Sequence, residues 1–244
     1  MKIAISGKGG SGKTTIAACL CQIYAKESRV LAVDCDPDAD LALALGIPKE
    51  EALKIKPLSS MKSLIEERVG KEGFFRLNPD VSDIIDKIAI KIGNIRLIVM
   101  GGVKKEGCFC PENRFLREII TRVLLEDSVV IMDMEAGIEH LSRQTAKGCD
   151  VLLIVVEAGI RSIKSAETIK ELGLGLGIPH IMAIANKIRD NDLKIIKENF
   201  SLPICGKVSY NEALIFQDKS DGGVSLDIID EVRLIKEEIE KFVC

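Results

Sequence analysis

The chain has 244 residues, of which 47% are hydrophobic, 29% are charged and 4% are aromatic, and its formal net charge is −3. The hydrophobic fraction excludes a disordered chain, and the length fits one large α/β domain, which we expect to span residues 1–244. The negative charge and the absence of Trp argue against nucleic acid and anionic membranes as partners.

Short apolar runs alternate with longer stretches of helical period along the chain. The runs lie at 2–6, 29–34, 95–100, 128–133, 151–156 and 180–186. Because most contain few polar residues, both faces of their sheet should be covered, which is typical of an α/β fold with a mostly parallel sheet and helices on both faces. Two alternating runs within 88–99 flank Gly93-Asn94 and predict a hairpin, so we expect one antiparallel strand.

Two stretches have a clear helical stripe, at 113–125 and at 226–243. In the second stretch the apolar stripe, which we expect to pack in the core, consists of Ile228, Val232, Ile235, Ile239 and Phe242. The region 47–80 is the least regular part of the sequence.

We expect no secretory signal, and the cysteines are scattered along the sequence. Met1 leads directly into the first apolar run, and no run reaches the roughly 18 residues that span a bilayer. We therefore expect a cytoplasmic protein whose eight cysteines are reduced. Four of these cysteines are predicted to be packing residues: Cys19, Cys21, Cys149 and Cys205.

A glycine-rich motif of the form G-x-x-x-x-G-K-[ST] follows the first predicted strand and opens a helical stretch. Its residues, with one more Thr, are Gly7, Lys8, Gly9, Gly10, Ser11, Gly12, Lys13, Thr14 and Thr15. Glycines let several backbone N–H groups point at one anion, and the helix N-terminus adds positive charge. Lys13 can reach the β- and γ-phosphates of a nucleotide, and the Thr14 hydroxyl can bind Mg²⁺. Lys8 is either a solvated surface lysine or a second cation for phosphates, including those of a partner subunit, where it would act like an arginine finger.

Carboxylates end or follow two of the apolar runs. The first group consists of Asp34, Asp36, Asp38 and Asp40. It lies where the ligand crevice of a parallel sheet is expected, and one member could polarise a hydrolytic water while another holds Mg²⁺. A solvated acidic turn is the alternative. Asp133 ends run 128–133 in the Walker-B arrangement, which predicts a place near the metal, and Gly137 can act as a hinge that senses the γ-phosphate.

The dipeptide Asn186-Lys187 ends run 180–186 and bears on the choice of base. Guanine-specific switches commonly have Asn-Lys-x-Asp, but the fourth position here is Arg189. An Asn amide alone suits adenine, whose N6 donates and whose N7 accepts. The residues therefore favour ATP, while Asp190, one residue further along, leaves GTP open.

A pair of thiols, Cys108 and Cys110, lies just before the helix predicted at 113–125. The helix N-terminus and the nearby Lys104 and Lys105 should lower the pKa of both thiols. Thiolates bind soft or borderline metals such as Zn²⁺, Ni²⁺ or Cu⁺. One pair supplies two of the four ligands of a closed site, so a two-fold dimer would have to supply the others. The alternative is two incidental thiols.

As a whole, the chain resembles the deviant-Walker P-loop ATPases typified by MinD, ParA and the nitrogenase iron protein. Lys8 falls at the signature lysine of that class, residues 35–40 look like its switch I, and residues 133–137 look like its switch II. The resemblance is strongest to the CooC family, ATPases that help insert nickel into carbon monoxide dehydrogenase. It rests on the P-loop and on residues 108–113 and 133–141.

This resemblance implies a Mg-ATP-hydrolysing homodimer, promoted by ATP, by metal or by both. Lys8 would contact the nucleotide of the partner subunit and Lys13 the nucleotide of its own subunit. Asp36 would orient the attacking water and contribute with Thr14 to the Mg²⁺ site. Asp133 would support Mg²⁺. Asn186 and Lys187 would bind the nucleotide, with Asn186 reading adenine.

The resemblance also implies that Cys108 and Cys110 of two subunits share one Ni²⁺ or Zn²⁺ ion, and that carbon monoxide dehydrogenase is the client. Residues 136–139 lack the cluster-ligating Cys of the nitrogenase iron protein, which argues against a shared iron–sulfur cluster of that type. Residues 227–241 contain six acidic and three basic residues, which makes a poor anchor for an anionic membrane, unlike the terminal helix of MinD.

Two other functions remain open at this point: a positioning or partitioning ATPase like MinD or ParA, and an iron–sulfur carrier or electron-transfer ATPase. We expect His140 and His180 to be hydrogen-bonded structural residues. The sequence does not assign functions to Asp40 or Cys244.

Overall fold

In the computed structural model, the described residues are 1–36, 40–69, 83–101, 118–123, 128–135, 148–212 and 228–243. They form one sheet with helices packed against it. The strands of this sheet are β1 (Lys2–Gly7), β2 (Val30–Asp34), β3 (Ile90–Ile92), β4 (Ile95–Val99), β5 (Val129–Asp133), β6 (Val151–Val156), β7 (His180–Ile188) and β8 (Ile204–Ser209).

The strand order across the sheet is β3-β4-β2-β5-β1-β6-β7-β8. Among the described strands, β3 and β4 pair antiparallel, and the other neighbours pair parallel. Ile92 pairs with Ile95 across Gly93-Asn94, so the predicted hairpin is confirmed. The mostly parallel sheet confirms the predicted fold class, and it places β1 at the centre between β5 and β6.

The six apolar runs correspond to six strands, with bounds that differ by at most two residues. Strand β8 was not predicted, because its six residues are too short and too mixed in polarity to be distinguished from a loop by pattern alone. Strand β7 continues to Ile188, two residues beyond the predicted end, and it begins at His180. Both deviations lie at the β7–β8 edge of the sheet.

Helices connect most of the strands. They are α1 (Lys13–Tyr24), α2 (Leu41–Ala44), α3 (Lys49–Ala52), α4 (Lys62–Val69), α5 (Ile84–Ile88), α6 (Ile160–Gly175), α7 (Asp192–Asn199) and α8 (Ile229–Val243). Residues 118–123 are also helical and lie inside the helix predicted at 113–125. The described part of the irregular region 47–80 consists of short helices and a 3₁₀ turn.

The core consists of two buried clusters, one on each face of the sheet. Alternate residues of β2 separate between them: Leu31 and Val33 belong to one cluster, and Val30 and Ala32 to the other. The first cluster contains residues of α6 and of the helical segment 118–123, and the second contains residues of α1 and α8. Helices therefore cover both faces, as the continuous apolar runs predicted.

The apolar stripe of α8 packs in the core, with one exception. Ile228, Val232, Ile235 and Ile239 are buried, but Phe242 is 48% exposed. Val243 packs against the core cluster instead, because it lies four residues after Ile239 and thus continues the same helix face. The expectation for Phe242 was wrong. In the part of the chain that the structure describes, no helix has the length and apolarity needed to cross a membrane.

The described cysteines are all buried and unpaired, which confirms the packing role predicted for four of them. They are Cys19, Cys21, Cys35, Cys149 and Cys205. Burial raises the pKa of Cys19, Cys149 and Cys205 to about 12 and also raises the pKa of Cys21 and Cys35. These thiols are therefore both inaccessible and weakly ionised, so they should be poor nucleophiles.

We expect these five cysteines to resist a water-soluble thiol reagent in the native, metal-free protein. All eight cysteines should react once the chain is denatured. Labelling followed by peptide mass spectrometry checks this expectation. If any of the five were modified at the rate of the denatured protein, its burial in solution would be contradicted.

Candidate nucleotide-binding site

The candidate site lies at the carboxyl ends of the central strands. Strand β1 ends at Gly7, β2 at Asp34 and β5 at Asp133. Asp133 is the register partner of Asp34 on one side and of Ile5 on the other. The glycine-rich loop and two acidic strand ends are therefore adjacent, at the edge where parallel sheets bind ligands.

The glycine-rich loop turns directly into α1, which begins at Lys13. Ser11 N–H donates to the Lys8 carbonyl at 3.1 Å, and Ile16 N–H donates to the Gly12 carbonyl at 3.1 Å. Gly12 has a φ of 93°, and a Cβ atom there would overlap the Asn186 amide nitrogen. Glycine is thus required at this position both by backbone conformation and by space.

The two lysines of the loop point to different environments. Lys8 is exposed, whereas Lys13 is 6% exposed and its Nζ lies 3.5 Å from the Lys8 carbonyl oxygen. Burial lowers the pKa of Lys13, although the charges of Asp133, Asp36 and Glu135 oppose this effect. Lys13 is therefore a buried cation beside carboxylates, whereas the Lys8 side chain is exposed.

Asp133 is 1% exposed. Burial raises its pKa to about 6, while a hydrogen bond from the Thr14 side chain and the charge of Lys13 favour the ionised form. Within the described residues, Asp133 Oδ1 and Ser11 Oγ have no hydrogen-bond partner. Such buried polar atoms each cost about 1–3 kcal/mol, so this donor and acceptor set fits a phosphate-bound Mg²⁺ ion, for which Thr14 and an acidic strand end are the usual ligands.

The carboxylates after β2 differ in their surroundings. Asp34 is completely buried, and its carboxylate accepts the backbone N–H groups of Asp36 and Leu41, each at 3.0 Å. Burial and the neighbouring Asp133 raise the pKa of Asp34 to about 7. Asp36 is half-buried and Asp40 is exposed. Sequence reasoning assigned a role to Asp36 by resemblance and none to Asp34, although Asp34 alone of these acids lies inside the apolar run 29–34.

Asn186 and Lys187 tie the end of β7 to the glycine-rich loop. Asn186 Nδ2 donates to the Ser11 carbonyl at 2.6 Å. Lys187 Nζ donates to the Gly10 carbonyl and pairs with Glu157 Oε1 at 2.7 Å. Sequence reasoning assigned both residues to the nucleotide and did not identify these contacts, or Glu157, because the partners are far apart along the chain.

Arg189 occupies the position where guanine-specific switches have Asp. Its guanidinium carbon lies 3.6 Å from the centre of the Tyr210 ring, and its backbone N–H donates to Asp192. Asp190 is exposed.

Several predicted residues lie outside the described residues: Cys108, Cys110, Gly137, His140, Asp38 and Cys244. Gly9 and Gly10 are exposed, and Thr15 is half-buried in α1. Among the described His, Cys, Asp and Glu residues, no group of three or more could hold a metal ion.

A central strand, a glycine-rich loop that opens a helix, a buried lysine and an acidic neighbouring strand end define a P-loop nucleotide-binding protein. The profile of one such family, the CobQ/CobB/MinD/ParA nucleotide binding domain, matches residues 2–223. The chain belongs to this family.

Two individual relatives indicate where within this family the chain belongs. An uncharacterized ATP-binding protein of Methanocaldococcus jannaschii is 44% identical over 240 residues, which cover 93% of this chain and 92% of that protein. The carbon monoxide dehydrogenase accessory protein CooC of Rhodospirillum rubrum is 43% identical over 196 residues, which cover 77% of this chain and 74% of CooC. The predicted resemblance to the CooC family is therefore confirmed.

Solved structures support the fold. The MinD cell division protein of Aquifex aeolicus superimposes with a TM-score of 0.70 at 21% identity, covering 98% of this chain and 97% of that chain. At this identity the likeness shows the fold alone.

Replacing Asp133 by Asn should stabilise the nucleotide-free protein near neutral pH. The folded state holds the proton of Asp133 up to a pH of about 6, whereas the unfolded chain releases it near pH 4. Ionisation of Asp133 therefore costs stability as the pH rises through this interval, by about 1–3 kcal/mol. Urea unfolding of both proteins with EDTA, at about pH 8 and about pH 4.5, measures the difference.

The Asn variant should gain more stability at the higher pH than at the lower one. An equal gain at both values would contradict the assignment to charge, because at about pH 4.5 the folded state still holds the proton of Asp133 and most of the cost of its ionisation is absent.

Proposed function

We propose that this protein is a Mg-ATP-hydrolysing dimeric switch that acts in metallocentre maturation, by delivering nickel to carbon monoxide dehydrogenase. The observation that carries the proposal is the 43% sequence identity to CooC over 77% of the chain. The thiol pair Cys108 and Cys110 in the same sequence supports it. In this proposal the protein is cytoplasmic and binds neither nucleic acid nor membranes.

Each loop residue has a proposed role in hydrolysis. The backbone N–H groups of Gly9 to Thr15 surround the phosphates, with Lys13 against the β- and γ-phosphates. Thr14 and Asp133 hold the metal, and Asp36 orients the water. Mg²⁺ would neutralise charge that develops on the transferred phosphoryl group. The hydrogen bond between Thr14 and Asp133 and the burial of Lys13 support this arrangement.

The contacts of the Asn-Lys dipeptide support adenine as the base. Asn186 Nδ2 holds the Ser11 carbonyl, and the Oδ1 atom of the same amide can accept a hydrogen bond from adenine N6. Arg189 occupies the sequence position at which guanine recognition requires a carboxylate, and its guanidinium group lies over the Tyr210 ring. Lys187 serves the nucleotide indirectly in this proposal, because its ammonium supports Gly10 of the phosphate loop.

Lys8 is the residue proposed to act across the dimer. Its exposure on the loop contrasts with the burial of Lys13, so it is available to the nucleotide of a second subunit. A cation added at the γ-phosphate is worth about 10³-fold or more in rate in related switches. A dimer closed by ATP would therefore hydrolyse ATP much faster than an isolated subunit.

Replacing Lys8 by Ala should lower kcat for ATP hydrolysis about 100-fold or more, while binding of ADP to the subunit changes little. Replacing the exposed Lys54 by Ala, remote in sequence from the loop, is the matched control and should leave kcat unchanged. A steady-state phosphate-release assay and calorimetry with ADP measure the two quantities. Unchanged hydrolysis in the Lys8→Ala protein would contradict a role for this lysine across the dimer.

The metal cargo is proposed to bind the four thiols that two copies of Cys108 and Cys110 supply. The chain offers a matched control, because Cys19 and Cys21 have the same C-x-C spacing but are buried in α1. Anaerobic protein should bind about one Ni²⁺ or Zn²⁺ per dimer. Replacing Cys108 and Cys110 by Ser should abolish this binding, whereas replacing Cys19 and Cys21 by Ala should preserve it.

Recording the oligomer mass with and without Mg-ATP in the same experiment separates the alternatives. Absence of metal with ATP-driven dimerisation intact would contradict the nickel role and favour a positioning ATPase. Brown protein with acid-labile sulfide would favour an iron–sulfur carrier.

A further inference from the structure

Asp34 is placed differently from the other acids of the site. It is the last residue of β2 and is 0% exposed. Its Oδ1 atom accepts the Asp36 N–H and its Oδ2 atom accepts the Leu41 N–H, both at 3.0 Å. The two oxygens thus bind two backbone groups that lie on either side of residues 37–39, one before α2 and one at its first residue.

Further backbone hydrogen bonds anchor Asp34 itself. The Met100 N–H donates to its carbonyl at 2.8 Å, and the next amide, that of Cys35, donates to the Asp133 carbonyl at 2.9 Å. The backbone at the end of β2 is therefore fixed to β5, the strand that ends in the proposed metal-binding carboxylate. A residue anchored in this way can fix the position of the backbone groups that its side chain binds.

The contacts of Asp34 argue against a direct role in chemistry. A carboxylate that holds Mg²⁺ or polarises water must present an oxygen to its ligand, but both oxygens of Asp34 accept amide hydrogens inside the protein. Asp133, its neighbour in register, is the acid beside Thr14 and Lys13. Asp36 is half-buried rather than enclosed.

We infer that Asp34 is a positioning residue for the backbone at Asp36 and Leu41, and that it acts on hydrolysis by holding the backbone from which the Asp36 side chain reaches the attacking water. Two hydrogen bonds at 3.0 Å to one buried side chain restrain the backbone at both positions. Correct placement of a group that orients water is a large part of phosphoryl-transfer catalysis. The inference rests on the hydrolysis proposed above.

Replacing Asp34 by Asn tests the inference, because an amide can accept one of the two N–H groups but turns its own NH₂ toward the other. We expect kcat for ATP to fall about tenfold or more, with the Kd for ADP within about twofold of the original. The matched control is Asp150→Asn. Asp150 also accepts a backbone N–H, that of Lys2 at 2.7 Å, but beside the amino end of β1. This control should keep its kcat.

A double-mutant cycle separates positioning from general destabilisation. If Asp34 acts through Asp36, the Asp34→Asn change should lower the residual rate of an Asp36→Asn protein by less than about twofold. A reduction as large as in the original protein would overturn the inference, and so would an unchanged kcat in Asp34→Asn alone.

Hydrogen exchange of the original protein tests the tether without any variant. The amides of Asp36 and Leu41 should exchange at least about tenfold more slowly than unprotected amides. Exchange at the unprotected rate would overturn the inference, even if Asp34→Asn failed to fold. If the original protein did not hydrolyse ATP, the proposed function would fail, whereas protected amides would still establish the tether.

Discussion

The candidate site depends on one constraint, the parallel register that brings the carboxyl ends of β1, β2 and β5 to the same height. In this register Asp133 lies beside Asp34 and beside the residue two before the glycine-rich loop. The loop can then turn into α1 with Lys13 directed to the acidic strand ends. A shift of one residue in β5 would carry Asp133 to the opposite face of the sheet and away from Thr14, because side chains alternate along a strand.

The electrostatics of the site follow from burial. Desolvation is the largest cause of the raised pKa of Asp34 and Asp133 and of the lowered pKa of Lys13. Polar and charged groups in this position cost stability until a ligand satisfies them. The backbone pays part of this cost in advance, since Asp36 and Leu41 donate to Asp34. A nucleotide with its metal is the kind of ligand that would satisfy the remainder.

Family membership and site geometry both indicate a phosphate-binding loop. Neither of them identifies the metal cargo. The family is named for nucleotide binding, and its matched region includes every described site residue. Asn186 and Lys187 at the end of β7 donate hydrogen bonds to carbonyl groups of the loop, and Glu157 pairs with Lys187. The thiol pair Cys108 and Cys110 is the feature that favours metal delivery over the other functions of this fold, and it is known from the sequence.

The sequence by itself determined the features that depend on neighbouring residues. Continuous apolar runs predicted most strands because buried parallel strands have no polar face, and Gly93-Asn94 predicted its hairpin from local turn chemistry. The phosphate loop is equally local. Tertiary structure decided which strand-end acid faces Thr14 and which binds backbone, that Asn186 contacts Ser11, and that Val243 rather than Phe242 packs against the core. These outcomes depend on groups brought together from distant positions, and local periodicity carries no information about such distances.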